Sequence, residues 1–461
     1  MTGYEQFLER KLQNNQVDGF EPLWIPDFLF PFQQYLVDWS LRIGRDAIFA
    51  DCGMGKSPMQ LVWAENVRKY TGKPVLIVTP LAVSFQTATE GDKFGIDTQT
   101  SRDGSVISGI TVTNFERLRY FNPHDFGGMV VDESSILKSF DGVTRAAITE
   151  FMRILPYRLL CTATAAPNDY TELGTSSEAL GHLGHMDMLT RFFVNNQKTA
   201  DTKGHWRGHS APRVWDRQQW RFKGHAAQPF WRWVSSWARA CRRPSDLGFC
   251  DDGYELPPLI YRNHVVKVST PQEGTLFDVP AVGLREERDE ARRSIKERCE
   301  KAAEMMADAE PGVVWCQLNA EGSLLTKLID GAVEVSGSDN SDDKEAKLAA
   351  FTRGDIRVLV TKPKIGAWGL NWQHCHRMCY FPSHSYEQWY QAVRRSWRYG
   401  QTNPVEVDIV TTEGGMGILE NLQRKTEAAS MMFDELTAHM RDALTIGKTE
   451  FKTEVEMPPW V

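Results

Sequence analysis

The sequence has no C-x-x-C pair, no long apolar run and no excess of basic residues, and each absence excludes a class of protein. Its eight cysteines are scattered and several lie within apolar stretches, which is typical of buried free thiols in a reducing compartment. No run approaches the roughly 18 apolar residues that a membrane-spanning helix needs. The first residues also lack a basic segment followed by an apolar core. We therefore expect a soluble, cytoplasmic protein.

The formal net charge is −7, which argues against a protein that coats nucleic acid with a uniformly basic surface. A net charge does not exclude a local basic face. The tightest group of metal-ligating residue types is His374-Cys375-His376 with Cys379. Since no second ligand pair stands at structural-zinc spacing, we favour buried thiols over a zinc site here.

Short apolar runs alternate with longer helix-like stretches in two separate parts of the chain, from about residue 46 and again from about residue 285. Continuous apolar strands separated by helices are typical of a parallel sheet that is covered on both faces. The strand candidates are 47–50, 75–79, 110–113, 129–131 and 157–162 in the first part, and 312–316, 332–335, 356–361, 378–381 and 405–410 in the second. The pattern predicts two α/β domains in tandem, with further helices at 285–309 and 415–446.

A segment of different composition separates the two series. Between residues 197 and 243 there are eleven Lys and Arg, only two acidic residues, and six of the fifteen tryptophans. We therefore divide the chain into a first domain (1–190), a basic Trp-rich helical insertion with an inter-domain linker (191–258), a second domain (259–430), and a C-terminal helix and tail (431–461).

The stretch Ala50-Asp-Cys-Gly-Met-Gly-Lys-Ser57 joins a predicted strand to a predicted helix. A phosphate-binding loop needs this setting, with inward-pointing backbone N–H groups, a lysine for the phosphates and a hydroxyl for Mg²⁺. A later predicted strand ends in Asp132-Glu133, which would direct one carboxylate toward Mg²⁺ and the next toward an attacking water. Together they indicate a hydrolysis site with Lys56 on the phosphates, Ser57 and Asp132 on the metal, and Glu133 on the water.

Phosphoryl transfer of this kind is often completed by arginines that neutralise developing charge. The predicted helix near 385–397 places Gln391, Arg395 and Arg398 at i, i+4 and i+7, on one face. A solvated basic helix face is the alternative interpretation of this pattern taken alone.

The combination of these motifs resembles superfamily 2 helicases, and within them the Swi/Snf-like DNA-translocating ATPases. The pattern Q-A-x-x-R-x-x-R-x-G-Q of that family's motif VI is matched by residues 391–401, motif I by 50–57 and motif II by 132–135. Weaker matches, in the family's order, are the glutamine motif at 30–33, motif Ia at 78–81, motif Ib at 112–115, motif III at 160–168 and motif V at 361–371. The resemblance covers residues 30 to 411 and implies two RecA-like domains with an ATP cleft between them.

The resemblance also implies roles for individual residues. ATP would be bound with Mg²⁺ by the loop residues Gly53, Met54, Gly55, Lys56 and Ser57, by Gln33 near the adenine, and by Gly369 on the wall of the second domain. Arg395 and Arg398 would act as arginine fingers, and Thr162 and Thr164 would couple hydrolysis to movement. Thr79, Asn114 and Thr361 would be candidates for contacts with a nucleic-acid backbone. Motif II ends in Ser134-Ser135 where many relatives carry histidine, so the link to motif III would use a serine hydroxyl or another group.

The resemblance favours translocation along double-stranded DNA. Two alternatives remain open: a helicase that unwinds DNA or RNA, and a nucleic-acid-binding scaffold whose ATPase has degenerated. For the insertion, we expect Trp233 and Trp237 to pack onto a domain as part of an amphipathic helix. We expect the preceding part, 198–223, to contact nucleic acid through its basic and aromatic side chains.

Pro58 follows the loop serine at a position that commonly donates a backbone N–H to the α-phosphate, and proline has no N–H to donate. We predict that Pro58→Thr tightens ATP binding because it restores this donor. Titration calorimetry on both proteins measures the difference, and equal affinities would contradict the prediction.

Overall fold

The structure, a computed structural model, describes residues 19–80, 83–138, 142–166, 169–195, 220–268, 284–366 and 371–445. The elements of the first lobe, in chain order, are Pro31–Ile43 (α1), Arg45–Ala50 (β1), Lys56–Thr71 (α2), Val75–Thr79 (β2), Ser84–Phe94 (α3), Thr98–Thr100 (β3), Ile110–Asn114 (β4), Gly128–Asp132 (β5), Val143–Ile154 (α4), Tyr157–Cys161 (β6), Leu173–Leu180 (α5), His185–Phe192 (α6), Phe193–Asn195 (β7), Trp220–Phe222 (β8), Ala227–Trp237 (α7) and Ala238–Cys241 (β9).

The second lobe contains Leu259–Val266 (β10), Leu284–Arg293 (α8), Ile295–Met305 (α9), Gly312–Trp315 (β11), Asn319–Leu328 (α10), Ala332–Val335 (β12), Ser341–Arg353 (α11), Val358–Thr361 (β13), Pro363–Gly366 (α12), Arg377–Tyr380 (β14), Tyr386–Val393 (α13), Val405–Thr412 (β15) and Met416–Thr445 (α14). Short 3₁₀ turns occupy Phe115–Tyr120, Pro123–Asp125, Ser134–Lys138, Tyr170–Glu172 and Pro244–Leu247.

Each lobe is built on one parallel sheet. The first has seven strands in the order β3-β4-β2-β5-β6-β1-β9, and the second has six in the order β10-β15-β14-β11-β13-β12. All strand pairs within these two sheets are parallel. The central strands, such as β2 and β5, are buried at every residue, because helices cover both faces of the sheet. The predicted fold class, two tandem α/β domains with parallel sheets, is confirmed.

The segment between the lobes is partly integrated into the first lobe. Strand β9 pairs in parallel with β1 and forms one edge of the first sheet, although the sequence-based division places it in the insertion. Helix α7 packs onto the same core: Trp237 is fully buried and Trp233 is partly buried against it. The packing predicted for these two tryptophans is therefore confirmed. Of the part predicted to contact nucleic acid, residues 198–219 lie outside the described residues.

The charged helix predicted over 285–309 is wrong as a single element, because the chain forms α8 and α9 with a break at Ser294. The Ser294 backbone leaves the helical region, with φ −98° and ψ 14°, while its hydroxyl donates to the Glu290 carbonyl at 2.7 Å. The Ser294 N–H donates to the same carbonyl at 3.1 Å, and a serine hydroxyl that shares such an acceptor often bends a helix. The break lets Arg298 reach the buried carboxylate of Glu321 at 2.6 Å.

Helix α14 connects the two hydrophobic cores. Its first half contributes Leu419 and Leu422 to the core of the second lobe, and its second half contributes Met432, Phe433, Leu436 and Met440 to the core of the first lobe. The sequence-based division between 430 and 431 falls within this continuous helix. The lobes are thus joined by an apolar contact in addition to the chain between them.

Among the residues that the structure describes, no helix combines the length and the apolar character needed to cross a membrane.

We expect Leu436→Ala to destabilise the protein by about 2–5 kcal/mol, because Leu436 is 1% exposed in the first-lobe core and its truncation leaves a cavity. The midpoint of chemical denaturation measures the loss. Met431→Ala is the matched control on the same helix, since Met431 is 59% exposed and its truncation should change stability by less than about 0.5 kcal/mol. Equal effects of the two substitutions would contradict the bridging role of α14.

Candidate active site

The loop between β1 and α2 has the geometry of an anion-binding turn. Gly53 and Gly55 have φ of 92° and 75°, a region that glycine adopts without strain. Helix α2 begins at Lys56, with Gly55 as its N-cap residue, so the positive end of the helix dipole faces the loop. The Lys56 ammonium donates to the carbonyls of Ala50 at 3.0 Å and Asp51 at 3.4 Å. Ser57 is the second residue of α2, and Pro58 lies in the first turn, where a missing N–H breaks no helical hydrogen bond.

Gln33 fixes the other side of the loop. Its amide nitrogen donates to the Met54 carbonyl at 3.0 Å, and its amide oxygen accepts from the Phe30 N–H at 3.0 Å. A Cβ at Gly55 would lie 2.2 Å from the Gln33 amide nitrogen, so residue 55 has to be glycine for Gln33 to approach. The predicted residues Gln33, Met54 and Gly55 therefore form one contiguous group.

Aromatic side chains from both lobes lie beside this group. Tyr254 stacks on Tyr399 with ring centroids 4.8 Å apart, and it contacts Phe30 and Phe32 edge-on at 5.6 and 5.2 Å. Phe30 and Tyr399 remain 46% and 40% exposed. Exposed aromatic faces next to Gln33 are suited to stacking on a planar base.

Asp132 is the last residue of β5, Glu133 follows it, and both face the loop. The Gln60 amide, one turn beyond Lys56 on α2, donates to Asp132 Oδ1 at 2.8 Å. Glu133 is the one non-glycine residue with positive φ (52°) among the described residues. Such a conformation is held by its surroundings and is common at functional sites. The Thr162 hydroxyl donates to Glu133 Oε2 at 3.2 Å and accepts from the Thr164 N–H at 3.0 Å.

The electrostatic environment gives these two carboxylates different properties. Burial raises the pKa of Glu133 to about 7; Lys56 and Arg395 act against the rise, while Asp132 and Glu387 add to it. Burial also raises the pKa of Asp132, opposed by the Gln60 hydrogen bond and by Lys56. A carboxylate with a pKa near neutrality is suited to accept a proton from water.

The donor set fits a hard divalent cation. Ser57 and Asp132 supply a hydroxyl and a carboxylate oxygen, the ligand types that Mg²⁺ takes beside phosphate oxygens and water. The charge of the cation would favour the ionised form of buried Asp132. Within the described residues no group of three or more His, Cys, Asp or Glu side chains is placed to hold a metal, and Mg²⁺ bound with phosphates does not need one.

The second lobe presents Gln391, Arg395 and Arg398 to the same cleft. The prediction that all three share one face of a helix is wrong, because α13 ends at Val393 and only Gln391 lies on it. Gln391 is 1% exposed and neither atom of its amide group has a hydrogen-bond partner in the described part of the chain. Arg395 donates to the Gln391 carbonyl at 3.1 Å and is close enough to lower the pKa of both Asp132 and Glu133. Arg398 donates to the Asn371 side chain, and burial together with the charge of Arg395 lowers its pKa to about 10, so it stays cationic at neutral pH.

Three cleft residues were missed at the sequence level. The buried Asp51 carboxylate accepts hydrogen bonds from the Tyr390 hydroxyl and the Arg394 guanidinium, both of which lie on the second lobe. Burial, with a smaller effect from the charge of Arg398, lowers the pKa of Arg394 to about 9. Arg394 was overlooked because it stands at a position that the motif VI pattern leaves open.

A second contact between the lobes was also missed. Glu387, at the start of α13, accepts from the Ser135 hydroxyl and pairs with Lys138. Ser135 is the last residue of the motif II match, so its hydroxyl links that motif to the second lobe. The one feature of the sequence that points to this contact is an acidic residue one helical turn before Gln391.

Other predicted residues lie elsewhere. The side chains of Thr79, Asn114 and Thr361 are at most 4% exposed, and each is hydrogen-bonded within its own lobe, to Pro80, Arg117 and Val335 respectively. Each of the three residues ends a parallel strand, and their contacts with a nucleic-acid backbone stay a prediction. Thr164 is buried and its hydroxyl has no partner among the described residues. Gly369 lies outside the described residues.

Comparison with known proteins adds little to this geometry. No family model matches the chain, and no curated protein sequence matches it either. Among solved structures, the chain is similar to the Sulfolobus solfataricus SWI2/SNF2 ATPase core in complex with dsDNA, with 15% identity, over 93% of this chain and 97% of that one, at a TM-score of 0.40. A likeness of that size carries no weight here, so the fold rests on the sheet topology and the site on its contacts.

Thr162→Val keeps the shape of the side chain and removes the hydroxyl that orients Glu133. We expect ATP turnover to fall about 10- to 100-fold, the value of one hydrogen bond to a charged group, while ATP affinity stays unchanged. Thr162→Ser is the control and should retain most of the turnover. Steady-state kinetics with a separate binding titration measure both quantities, and a loss confined to affinity would contradict the assigned role.

Proposed function

We propose that this protein is an ATP-hydrolysing nucleic-acid motor of the superfamily 2 type, acting on double-stranded DNA. The observation that carries the proposal is the convergence of three groups in one cleft. They are the Lys56 loop, the Asp132-Glu133 pair of the first lobe, and Gln391, Arg395 and Arg398 of the second.

The chemistry proposed for the cleft is mainly positioning and electrostatic stabilisation. The loop N–H groups and Lys56 hold the phosphates, and Ser57 and Asp132 hold Mg²⁺, which when bound neutralises charge on the phosphate oxygens. Glu133, oriented by Thr162, takes the proton of the attacking water. Arg395 and Arg398 stabilise charge on the transferred phosphoryl group, and the Gln391 amide is available to the water or a phosphate oxygen.

The base of the nucleotide is proposed to lie beside Gln33. Phe30 and Tyr399 expose their rings there, and Tyr254 supports Tyr399 from behind. The site would therefore be shared between the lobes at the base as well as at the phosphates. Nucleotide binding would then depend on how closely the lobes approach each other.

A route for nucleic acid is supported by a cavity of about 490 Å³ that opens beside Glu133. Both lobes line it, with apolar side chains such as Phe115 and Leu348. The charged lining residues are the cations Lys138, Lys344 and Lys364 and the carboxylates Glu116, Glu133, Glu345 and Glu387. Lys344 and Lys364 would meet backbone phosphates without reading sequence, whereas Lys138 is paired with Glu387. Because Ser135 and Glu387 also line the cavity, a strand that occupies it would lie against the contact between motif II and the second lobe.

Double-stranded DNA is favoured by the Swi/Snf-like form of motifs III and VI. The alternative of a helicase that separates strands uses the same cleft and differs in what happens to the duplex. The alternative of a scaffold with a degenerate ATPase is disfavoured, because Lys56, Asp132, Glu133, Arg395 and Arg398 are all present and face one cleft.

The test is ATP turnover without nucleic acid, and with duplex DNA, single-stranded DNA or RNA. We expect duplex DNA alone to stimulate turnover at least tenfold, since arginine fingers that are moved into place contribute orders of magnitude to such rates. Lys56→Ala is the control and should abolish turnover under every condition. Equal turnover in all four conditions would contradict a nucleic-acid motor, and no turnover at all would favour the scaffold.

A strand-displacement assay and a triplex-displacement assay on the same duplex separate the two motor types. Displacement of a third strand without separation of the duplex supports translocation. Separation of the duplex supports the helicase alternative.

A further inference from the structure

Asp51 is the residue on which the contacts of the phosphate loop converge. Its carbonyl accepts from the Met54 N–H at 3.3 Å and from Lys56 at 3.4 Å, and its carboxylate accepts from the Cys52 N–H at 2.6 Å. Its own N–H donates to the Cys241 carbonyl of β9 at 2.9 Å. A change in the position of Asp51 therefore changes the path of the whole loop.

The second lobe holds this carboxylate directly. Arg394 donates to one oxygen and the Tyr390 hydroxyl to the other, so both oxygens are bound by side chains that the first lobe does not supply. Asp51 is 1% exposed and Arg394 is 7% exposed. A buried carboxylate that loses its only cationic partner is strongly destabilised, because water cannot replace that partner.

Contacts within the second lobe also hold the Arg394 side chain in place. Its guanidinium lies 4.3 Å from the centroid of the Trp397 ring and 5.4 Å from that of Tyr390, and it donates to the Trp397 carbonyl at 3.3 Å. Cation–π contacts and a planar donor fork make arginine a directional partner for carboxylate. Because Arg394 is held in this way, its contact with Asp51 ties the position of the loop to that of the second lobe.

We propose that Arg394 is a positioning residue of the phosphate loop. Through its contact with Asp51, the loop takes its phosphate-binding shape only when the second lobe is packed against the first. This rests on the proposed ATP hydrolysis. It differs from the finger roles of Arg395 and Arg398, because Arg394 acts on the loop and not on the phosphates.

The pairing supplies a physical route from nucleic acid to nucleotide. Any ligand that holds the two lobes together also holds Arg394 on Asp51, and so orders the loop before ATP arrives. Separation of the lobes leaves the carboxylate without its cationic partner and loosens the loop. Stimulation of turnover by nucleic acid would then include a contribution to ATP binding.

The experiment is a double-mutant cycle in the full chain: Asp51→Asn, Arg394→Gln and the two combined, with Arg394→Lys as the conservative variant. Each single substitution should lower kcat/KM for ATP by about 10- to 100-fold, since each leaves one buried group unpaired. The double variant should be no worse than the more affected single, because it leaves no lone charge. Arg394→Lys should be intermediate, since it keeps the charge and loses the fork.

Hydrogen exchange provides a readout apart from activity. Without nucleotide, amides in residues 49–58 should exchange faster in Arg394→Gln than in wild type, while the buried strands β2 and β13 keep their protection. Tyr390→Phe removes only the hydroxyl and should shift the loop in the same direction by less. Arg353→Gln is the matched control, because Arg353 pairs with Asp355 on the exposed surface of the same lobe and should change nothing.

Several results would overturn the proposal. Single variants with wild-type kinetics would do so. So would a double variant whose loss of kcat/KM equals the product of the two single losses, since the residues would then act independently. Single variants that turn over ATP faster would show instead that the pair inhibits hydrolysis. A single variant that also loses protection in β2 and β13 has become less stable as a whole. The milder variants Tyr390→Phe and Arg394→Lys then provide the test, and unchanged loop exchange in both would contradict the proposal. If wild type shows no ATP turnover, the proposed function fails, whereas loop exchange still tests the pairing by itself.

Discussion

The cleft between the lobes buries charged side chains of both signs, and each has to be compensated because water is largely excluded from it. Coulombic interactions are strong in such an environment, and an unpaired ion is costly. The buried or half-buried groups are the carboxylates Asp51, Asp132, Glu133 and Glu387 and the cations Lys56, Lys138, Arg394, Arg395 and Arg398. Asp51 and Glu387 each pair with a cation on the opposite lobe. The positions of these charges therefore determine how the lobes pack together. The properties of Glu133 follow from the same balance, since its raised pKa reflects burial that Lys56 and Arg395 only partly offset.

The lobes are joined by contacts of different chemistry. Helix α14 crosses from one hydrophobic core to the other, and apolar burial of this kind is non-directional and is not screened by salt. The cleft contacts are ionic and directional, and they depend on the charge of what enters the cleft. An anion at the phosphate loop would change the balance around Asp51 and Glu133 and leave the α14 contact unaffected. Such a division suits a protein whose lobes stay attached while their approach responds to a charged ligand.

Much of the fold was predictable, and the failures have physical causes. Continuous apolar runs such as Val75–Thr79 identify strands that are buried on both faces, and the loop at Lys56 follows from its glycines and the helix after it. Strand β9 was not predicted, because Ala-Arg-Ala-Cys has no strand pattern and is extended only by its pairing with β1. At the break, the Ser294 hydroxyl donates to the Glu290 carbonyl one turn earlier, a contact that hydrophobic periodicity does not reveal. The burial of Thr79, Asn114 and Thr361 was not predicted, because a motif match does not reveal burial.

By itself the sequence determined two parallel α/β lobes and the groups that would carry phosphoryl chemistry, because those depend on local pattern: apolar runs, glycines at tight turns, and residues one helical turn apart. Only the tertiary structure decided which groups meet across the cleft. Asp51 and Arg394 are separated by more than three hundred residues, and Ser135 and Glu387 by about two hundred and fifty, so no local pattern links them. They pair only because the two lobes pack against each other. Packing removes each charged side chain from water, and the nearest compensating charge then lies on the other lobe.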